Sequence, residues 1–259
     1  MTITIKFNDN IQYGYNSFEE ITILDKYNDI IYIWCHNNNL SNLPELPNSL
    51  NKLYCNSNNL HNLPELPNSL QYLYCYNNKL SSLPELPNSL VEINCNFNNF
   101  SCLPELPNSL EKLWCDNNNL SSLPELPNTL KYLYCFKNKL HILPKLPHKL
   151  IELWCTYNNL SNLPELPNSL KFLYCHHNSL SNLPELPNSL KILYYDTNPI
   201  YSYIKTYFNG DEKKHIEYEK NMKRKFTNKI GNWFLDCKYN PKYLYCRKRL
   251  MKEYEELYN

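Results

Sequence analysis

The sequence predicts an α/β solenoid, with short parallel strands on its concave face, extended or polyproline-like return segments on its convex face, and helices at its C-terminal end. Three observations carry this. A segment close to LPELPNSL returns every twenty residues across residues 30–200. Each copy is followed by a short stretch such as Leu113, Trp114 and Cys115, whose alternation has the period of a strand. Two prolines in every copy, from Pro44 and Pro47 to Pro184 and Pro187, remove backbone donors and fix φ, so the return path is not helical.

In chain order, MTITIKF alternates like a strand and ILDKYNDI (residues 23–30) reads as a decayed return segment. Residues 1–29 are therefore expected to form a degenerate N-terminal capping unit, because a cut solenoid exposes its core. Residues 30–200 hold nine units of the form L-x-x-L-x-C-x-x-N-x-L-x-x-L-P-x-L-P-x-x. Strand parity turns Leu113 and Cys115 inward and Trp114 outward, and neighbouring units pair their strands ~4.8 Å apart. The Asn column, from Asn38 through Asn118 to Asn198, falls where the chain leaves the sheet. An amide both donates and accepts, so this column is expected to satisfy turning backbone in its own and the adjacent unit, as a ladder. In the return, Leu63, Leu66 and Leu70 are expected to point inward. A unit buries nothing alone, so stability comes from stacking.

The repeat fades after Asn198, where Tyr195 replaces the Cys, and Asn209 with Gly210 marks a turn. Beyond it, Tyr218, Met222, Phe226 and Ile230 recur at four-residue spacing, and Asn240 with Pro241 has the form of a helix start. Cys246, Leu250, Tyr254 and Leu257 share a face of that second helix. Residues 201–259 are read as a basic, partly helical segment that caps the solenoid or docks a partner.

Composition narrows the function classes. Three glycines in 259 residues argue against phosphate-cradling loops. The net charge of +1 divides unevenly, since residues 201–259 carry 14 basic and 8 acidic side chains while residues 30–200 carry 10 and 12. Interleaved Glu217, Glu219, Glu253, Glu255 and Glu256 make that basic segment a solvated helical face rather than a nucleic-acid site. The N-terminus lacks a secretory pattern and no apolar run is long enough for a membrane span, so a soluble, intracellular, cytoplasmic monomer is expected.

The repeated unit resembles the twenty-residue leucine-rich repeats of YopM-type and IpaH-type bacterial effectors, which share the LPxLPxxL return. It is also similar to the leucine-rich-repeat proteins of giant DNA viruses, with the same Asn, Lys, Ile and Tyr bias and near-identical copies. The resemblance covers about residues 30–200 and implies a leucine-rich-repeat solenoid that binds protein, in a host cytoplasm if viral. IpaH-type effectors carry a ligase domain with a nucleophilic Cys in Cys-x-Asp. Neither Cys237 nor Cys246 has that neighbour, so ligase activity is not carried over.

The outward column of the sheet reads Trp34, Tyr54, Tyr74, Asn94, Trp114, Tyr134, Trp154, Tyr174 and Tyr194, aromatic at eight of nine places. Such rings stiffen a sheet by stacking and also dominate binding hot spots. Flanking positions, among them Glu152 on one side and Asp116 on the other, vary while the framework does not. These ten residues other than Asn94 are the candidate protein-binding surface of a non-enzymatic scaffold. The alternative is an adaptor whose C-terminal segment recruits a ligase or other machinery.

No catalytic, cofactor or metal residues are assigned. Cys35, Cys55 and their successors to Cys175 form one repeat column, which places parallel thiols in the core as small hydrophobes, whereas zinc needs converging ligands. Cys175, His176 and Asp196 are close in repeat position, but parity separates the inward thiol from the others. Sequons at Asn39, Asn99, Asn119 and Asn159 recur because the repeat does and are expected to be silent.

Overall fold

The computed structural model describes residues 2–9, 11–207, 211, 213–214 and 216. The two helices expected beyond Gly210 lie outside these residues. Each unit contributes one three-residue strand: β3 (Tyr32–Trp34), β4 (Lys52–Tyr54), β5 (Tyr72–Tyr74), β6 (Glu92–Asn94), β7 (Lys112–Trp114), β8 (Tyr132–Tyr134), β9 (Glu152–Trp154), β10 (Phe172–Tyr174) and β11 (Ile192–Tyr194). They pair in parallel and in sequence order, every residue opposite its counterpart one unit on, as in Tyr54 with Tyr74. Constant register follows from constant period, because a slip of one residue would turn every leucine outward.

Parity sorts the side chains as the alternation requires. Leu53, Leu73, Ile93, Leu133 and Leu153 are fully buried, as are all eight thiols from Cys35 to Cys175. Leu63 and Leu70 are buried, while Leu66 is only half-buried, since a convex layer one chain thick covers it incompletely. The return segments contain no helix, and each closes with a turn such as Leu50 N–H donating to Pro47 O at 3.0 Å.

Two ladders tie the units together. Asn58 Nδ2 donates to Cys35 O and Cys55 O at 2.9 and 3.0 Å, and its Oδ1 accepts from Asn38 and Leu40 N–H, both at 3.0 Å. One amide thus joins two units, and the pattern recurs through Asn198. The second ladder is made of hydroxyls: Ser69 Oγ donates toward Asn48 O, in the preceding unit, and Leu50 O, at the start of its own, both at 2.7 Å, and Thr129 does the same toward Asn108 O and Leu110 O at 2.8 Å. The residue before each ladder Asn has a left-handed backbone, with φ from 51° to 56°, as at Asn37, Phe97 and Thr197. Asn suits that conformation at Asn37, Asn77 and Asn117, whereas Phe97 adopts it only because its neighbours enforce it.

The ends differ from the interior. β1 (Ile3–Lys6) pairs antiparallel with β3, placing Thr4 opposite Trp34, and β2 (Gln12–Tyr15) pairs antiparallel with β1. This direction is the reverse of a repeat strand, yet Ile3, Ile5, Phe18 and Ile21 are buried against the first unit. The segment also supplies the outermost rung of the Asn ladder, since Asn38 Nδ2 donates to Thr2 O and its Oδ1 accepts from Thr2 N–H, both at 3.0 Å. At the other end, the helix Pro199–Tyr207 seats Ile200 and Ile204 on the last unit. The Asn198-Pro199 pair that opens it has the same form as Asn240-Pro241, a signal the sequence reading applied only further along the chain.

Candidate functional site

The strand register decides which rings meet. Tyr54 and Tyr74 stack with centroids 4.7 Å apart and planes within 4°, and Trp34 lies 5.8 Å from Tyr54 at 15°. A second run follows: Trp114 and Tyr134 at 5.5 Å and 12°, Tyr134 and Trp154 at 5.8 Å, Trp154 and Tyr174 at 4.2 Å, Tyr174 and Tyr194 at 5.3 Å. The column is therefore a stack of three rings and a run of five, in which Trp154 is tilted by 42° and 34° to its two neighbours, divided by Asn94. Because each ring covers its neighbour, those from Trp34 to Tyr174 are half-buried, and only Tyr194 at the end of the sheet is 52 % exposed.

Charged side chains line one border of the stack. Glu92 is 8 % exposed, accepts a hydrogen bond from the Tyr74 hydroxyl and pairs with Lys112 at 3.0 Å. Glu152 accepts from Trp154 Nε1 at 2.6 Å, so this candidate contact residue is engaged in holding the column. Burial, followed by the Glu152 charge, pushes the Tyr134 hydroxyl up to about 12. Lys52 sits over the Tyr72 ring at 4.2 Å, and Lys112 lies 5.8 Å from the Trp114 centroid.

On the opposite border the structure corrects the sequence reading of Asp116. Its side chain is 1 % exposed, so it does not face a partner. Asn117 Nδ2 donates to Oδ2 at 3.0 Å, while Oδ1 is buried with no hydrogen-bond partner. Burial raises its carboxyl to about 6, against the lowering effect of hydrogen bonds from Asn117, its own backbone and Asn96. Asn56 and Thr156 occupy the same column and are also buried. The short side chains at these units are covered while Tyr76 and Phe136 of the same column stay partly exposed, a distinction that parity alone does not reveal.

Asp196 lies close enough to act electrostatically on Cys175 and His176, but His176 Nδ1 makes no hydrogen bond to it. Cys175 is fully buried, and His176 Nδ1 is a buried atom with no hydrogen-bond partner. Burial pushes the ladder thiols up, Cys35 and Cys75 to about 12, which disfavours the thiolate that would attack or bind a metal. Among the described residues no group of three His, Cys, Asp or Glu could hold a metal ion, and no helix is long and apolar enough to cross a membrane. A cavity of about 640 Å³ beside the N-terminal hairpin, between Tyr13, Lys26 and Asp29, lies away from the aromatic column. There Asp9 spends its carboxylate on Ile11 N–H and the Tyr13 hydroxyl, both at 2.9 Å.

No protein-family model matches the chain, and no curated protein sequence does. Among solved structures, YopM from Yersinia enterocolitica is 39 % identical over 61 % of this chain and 40 % of its own length, with a TM-score of 0.53. YopM from Yersinia pestis, described as a leucine-rich effector protein, is 37 % identical over 61 % of this chain and 52 % of its own, at 0.54. A Shigella effector leucine-rich-repeat domain is 36 % identical over 57 % of this chain and 69 % of its own, at 0.53. The chain thus spans about half the length, or less, of the two Yersinia proteins.

Proposed function

This chain belongs to the leucine-rich-repeat family, with a repeat domain related to those of YopM and the Shigella effectors, and from that premise we propose that it is a non-enzymatic protein-binding scaffold that holds its partner on the aromatic face of the sheet. The observation that carries the reading is the run of five contacting rings from Trp114 to Tyr194. Rings already ordered by one another lose little freedom when a partner covers their edges, and Tyr and Trp are the residues that dominate interface energetics. Trp34, Tyr54 and Tyr74 extend the platform, and Glu152 serves it by fixing the Trp154 indole. The effector role of the relatives and the compositional likeness to giant-virus repeat proteins support a site of action in a host cytoplasm.

The test begins with a photo-crosslinking residue at Tyr134 to identify the partner, in the full chain and in one lacking residues 201–259. Calorimetry with that partner then compares Trp114→Ala plus Trp154→Ala with Ile142→Ala, which alters a side chain 62 % exposed away from the column. The double variant should weaken binding more than tenfold and Ile142→Ala should not. If the partner is lost only on removal of residues 201–259, the basic segment is the docking element and the chain is an adaptor.

A further inference from the structure

Asn94 leaves one step of the aromatic column vacant. Strand pairing places it between Tyr74 and Trp114, so those two rings stand two strand spacings apart, ~9.6 Å. Tyr74 is stacked on Tyr54 through one face, and Trp114 on Tyr134 through one face. Their other faces are turned toward the unit of Asn94, where an amide stands in place of a ring. We propose, on the premise of the protein-binding reading above, that this slot receives an aromatic side chain of the protein partner, which completes the stack as the missing ring.

The pitch of the column sets the shape of the occupant. Ring centroids elsewhere are separated by 4.2 to 5.8 Å, so one planar ring inserted midway restores the spacing on both sides. Charge sets its chemistry. The Lys112 ammonium, paired with Glu92 at 3.0 Å, stands 5.8 Å from the Trp114 centroid at the border of the slot, where a cation–π contact favours an electron-rich ring. Glu92 is 8 % exposed and already engaged, through one oxygen with Tyr74 and through the other with Lys112, so little of its carboxylate faces a cationic ligand. At the floor, Asn94 Oδ1 accepts from Asn96 N–H at 3.2 Å, and its amide nitrogen has no partner among the described residues. That nitrogen can donate to a ring face or a phenolic oxygen. A nucleobase has the right shape, but the solenoid, with 12 acidic and 10 basic residues across 30–200, does not attract a polyanion.

The slot can be filled from within by Asn94→Tyr, which gives β6 the residue that other units carry, and kept open by Asn94→Ala. The readout is the indole N–H resonance of Trp114 in the full-length nitrogen-15-labelled protein, assigned by its loss in Trp114→Phe. N-acetyl-tyrosinamide and N-acetyl-tryptophanamide should shift it saturably in the wild type and in Asn94→Ala, and at least tenfold more weakly in Asn94→Tyr. N-acetyl-leucinamide, N-acetyl-argininamide and adenosine monophosphate are the competing chemistries. Equal shifts in Asn94→Tyr, no saturable shift in the wild type, or tighter binding of any competing probe would overturn the assignment. A partner whose affinity falls in the double Trp variant but is unchanged by Asn94→Tyr removes the slot and leaves the platform standing.

Discussion

Replacing Asp116 by Asn is expected to stabilise the solenoid at neutral pH, with a gain that vanishes in acid. The carboxyl is 1 % exposed, one oxygen has no hydrogen-bond partner, and burial lifts its pKa from the ordinary 3.8 to about 6. The sign follows from proton linkage. Well below pH 3.8 the folded and unfolded chains both carry the proton, and the group costs nothing; at pH 4 only a small part of the cost has appeared. As pH rises toward 6 the unfolded chain releases its proton first, so the native state is progressively penalised, and above 6 the full cost is present. About two pH units separate the two states, which at ~1.4 kcal/mol per unit sets a ceiling of about 3 kcal/mol. Solvent relaxation around the strand end brings the expected gain to ~1–3 kcal/mol. Asn56, buried in the same column, shows that the fold accepts an amide there. Urea unfolding followed by circular dichroism at pH 4 and pH 7.5 reads the difference, and comparing the variant with the wild type cancels the other titrating groups. A variant no more stable at pH 7.5, or equally stabilised at both values, would refute the burial of an ionised Asp116.

Two further outcomes test the framework. Asn118→Ala should cost about 2–3 kcal/mol, because Phe100 N–H loses its acceptor in a buried site. The Cys95 and Cys115 carbonyls keep a second donor from Asn98 and Asn138 and lose less. Asn38→Ala, at a part-exposed rung, should cost visibly less by the same urea midpoints. In maleimide labelling read peptide by peptide, exposed Cys102 should react under native conditions while Cys95, Cys115 and Cys135 wait for unfolding. Rapid native labelling of Cys115 would contradict the inward thiol column.

The scaffold is legible in the sequence because the properties that build it are averaged over nine copies. Leu at strand and return positions, inward Cys, outward Trp or Tyr and the Asn ladder each recur often enough that parity and period identify their roles. Position-specific facts were not legible. Asp116 reads as a variable surface residue because its column also contains Tyr76 and Phe136, and nothing in the sequence says that its carboxyl is covered. The left-handed column is hidden because only Asn37, Asn77 and Asn117 advertise it, while Phe97, Tyr157 and Lys137 adopt the same φ against their preference. The hydroxyl ladder was present as the Ser of LPELPNSL, but a Ser beside Asn and Pro reads as turn chemistry until its acceptors one turn of the solenoid earlier are seen. The reversed direction of β1 is a tertiary choice, since an alternating strand pairs either way.

For the candidate surface this difference between average and exception has a physical consequence. Rings stacked 4.2 to 5.8 Å apart have spent their faces on each other, so a Tyr or Trp within a run acts on stability first and offers a partner mainly its edge. Unspent faces occur where the column is interrupted or stops, at the Asn94 step and at Tyr194. A partner that met only the repeated edges could bind in several registers one strand apart at nearly equal energy. A fixed register needs units that differ, and on this face the break at Asn94, with Glu92 and Lys112 beside it, is the feature that distinguishes one interior position from its neighbours.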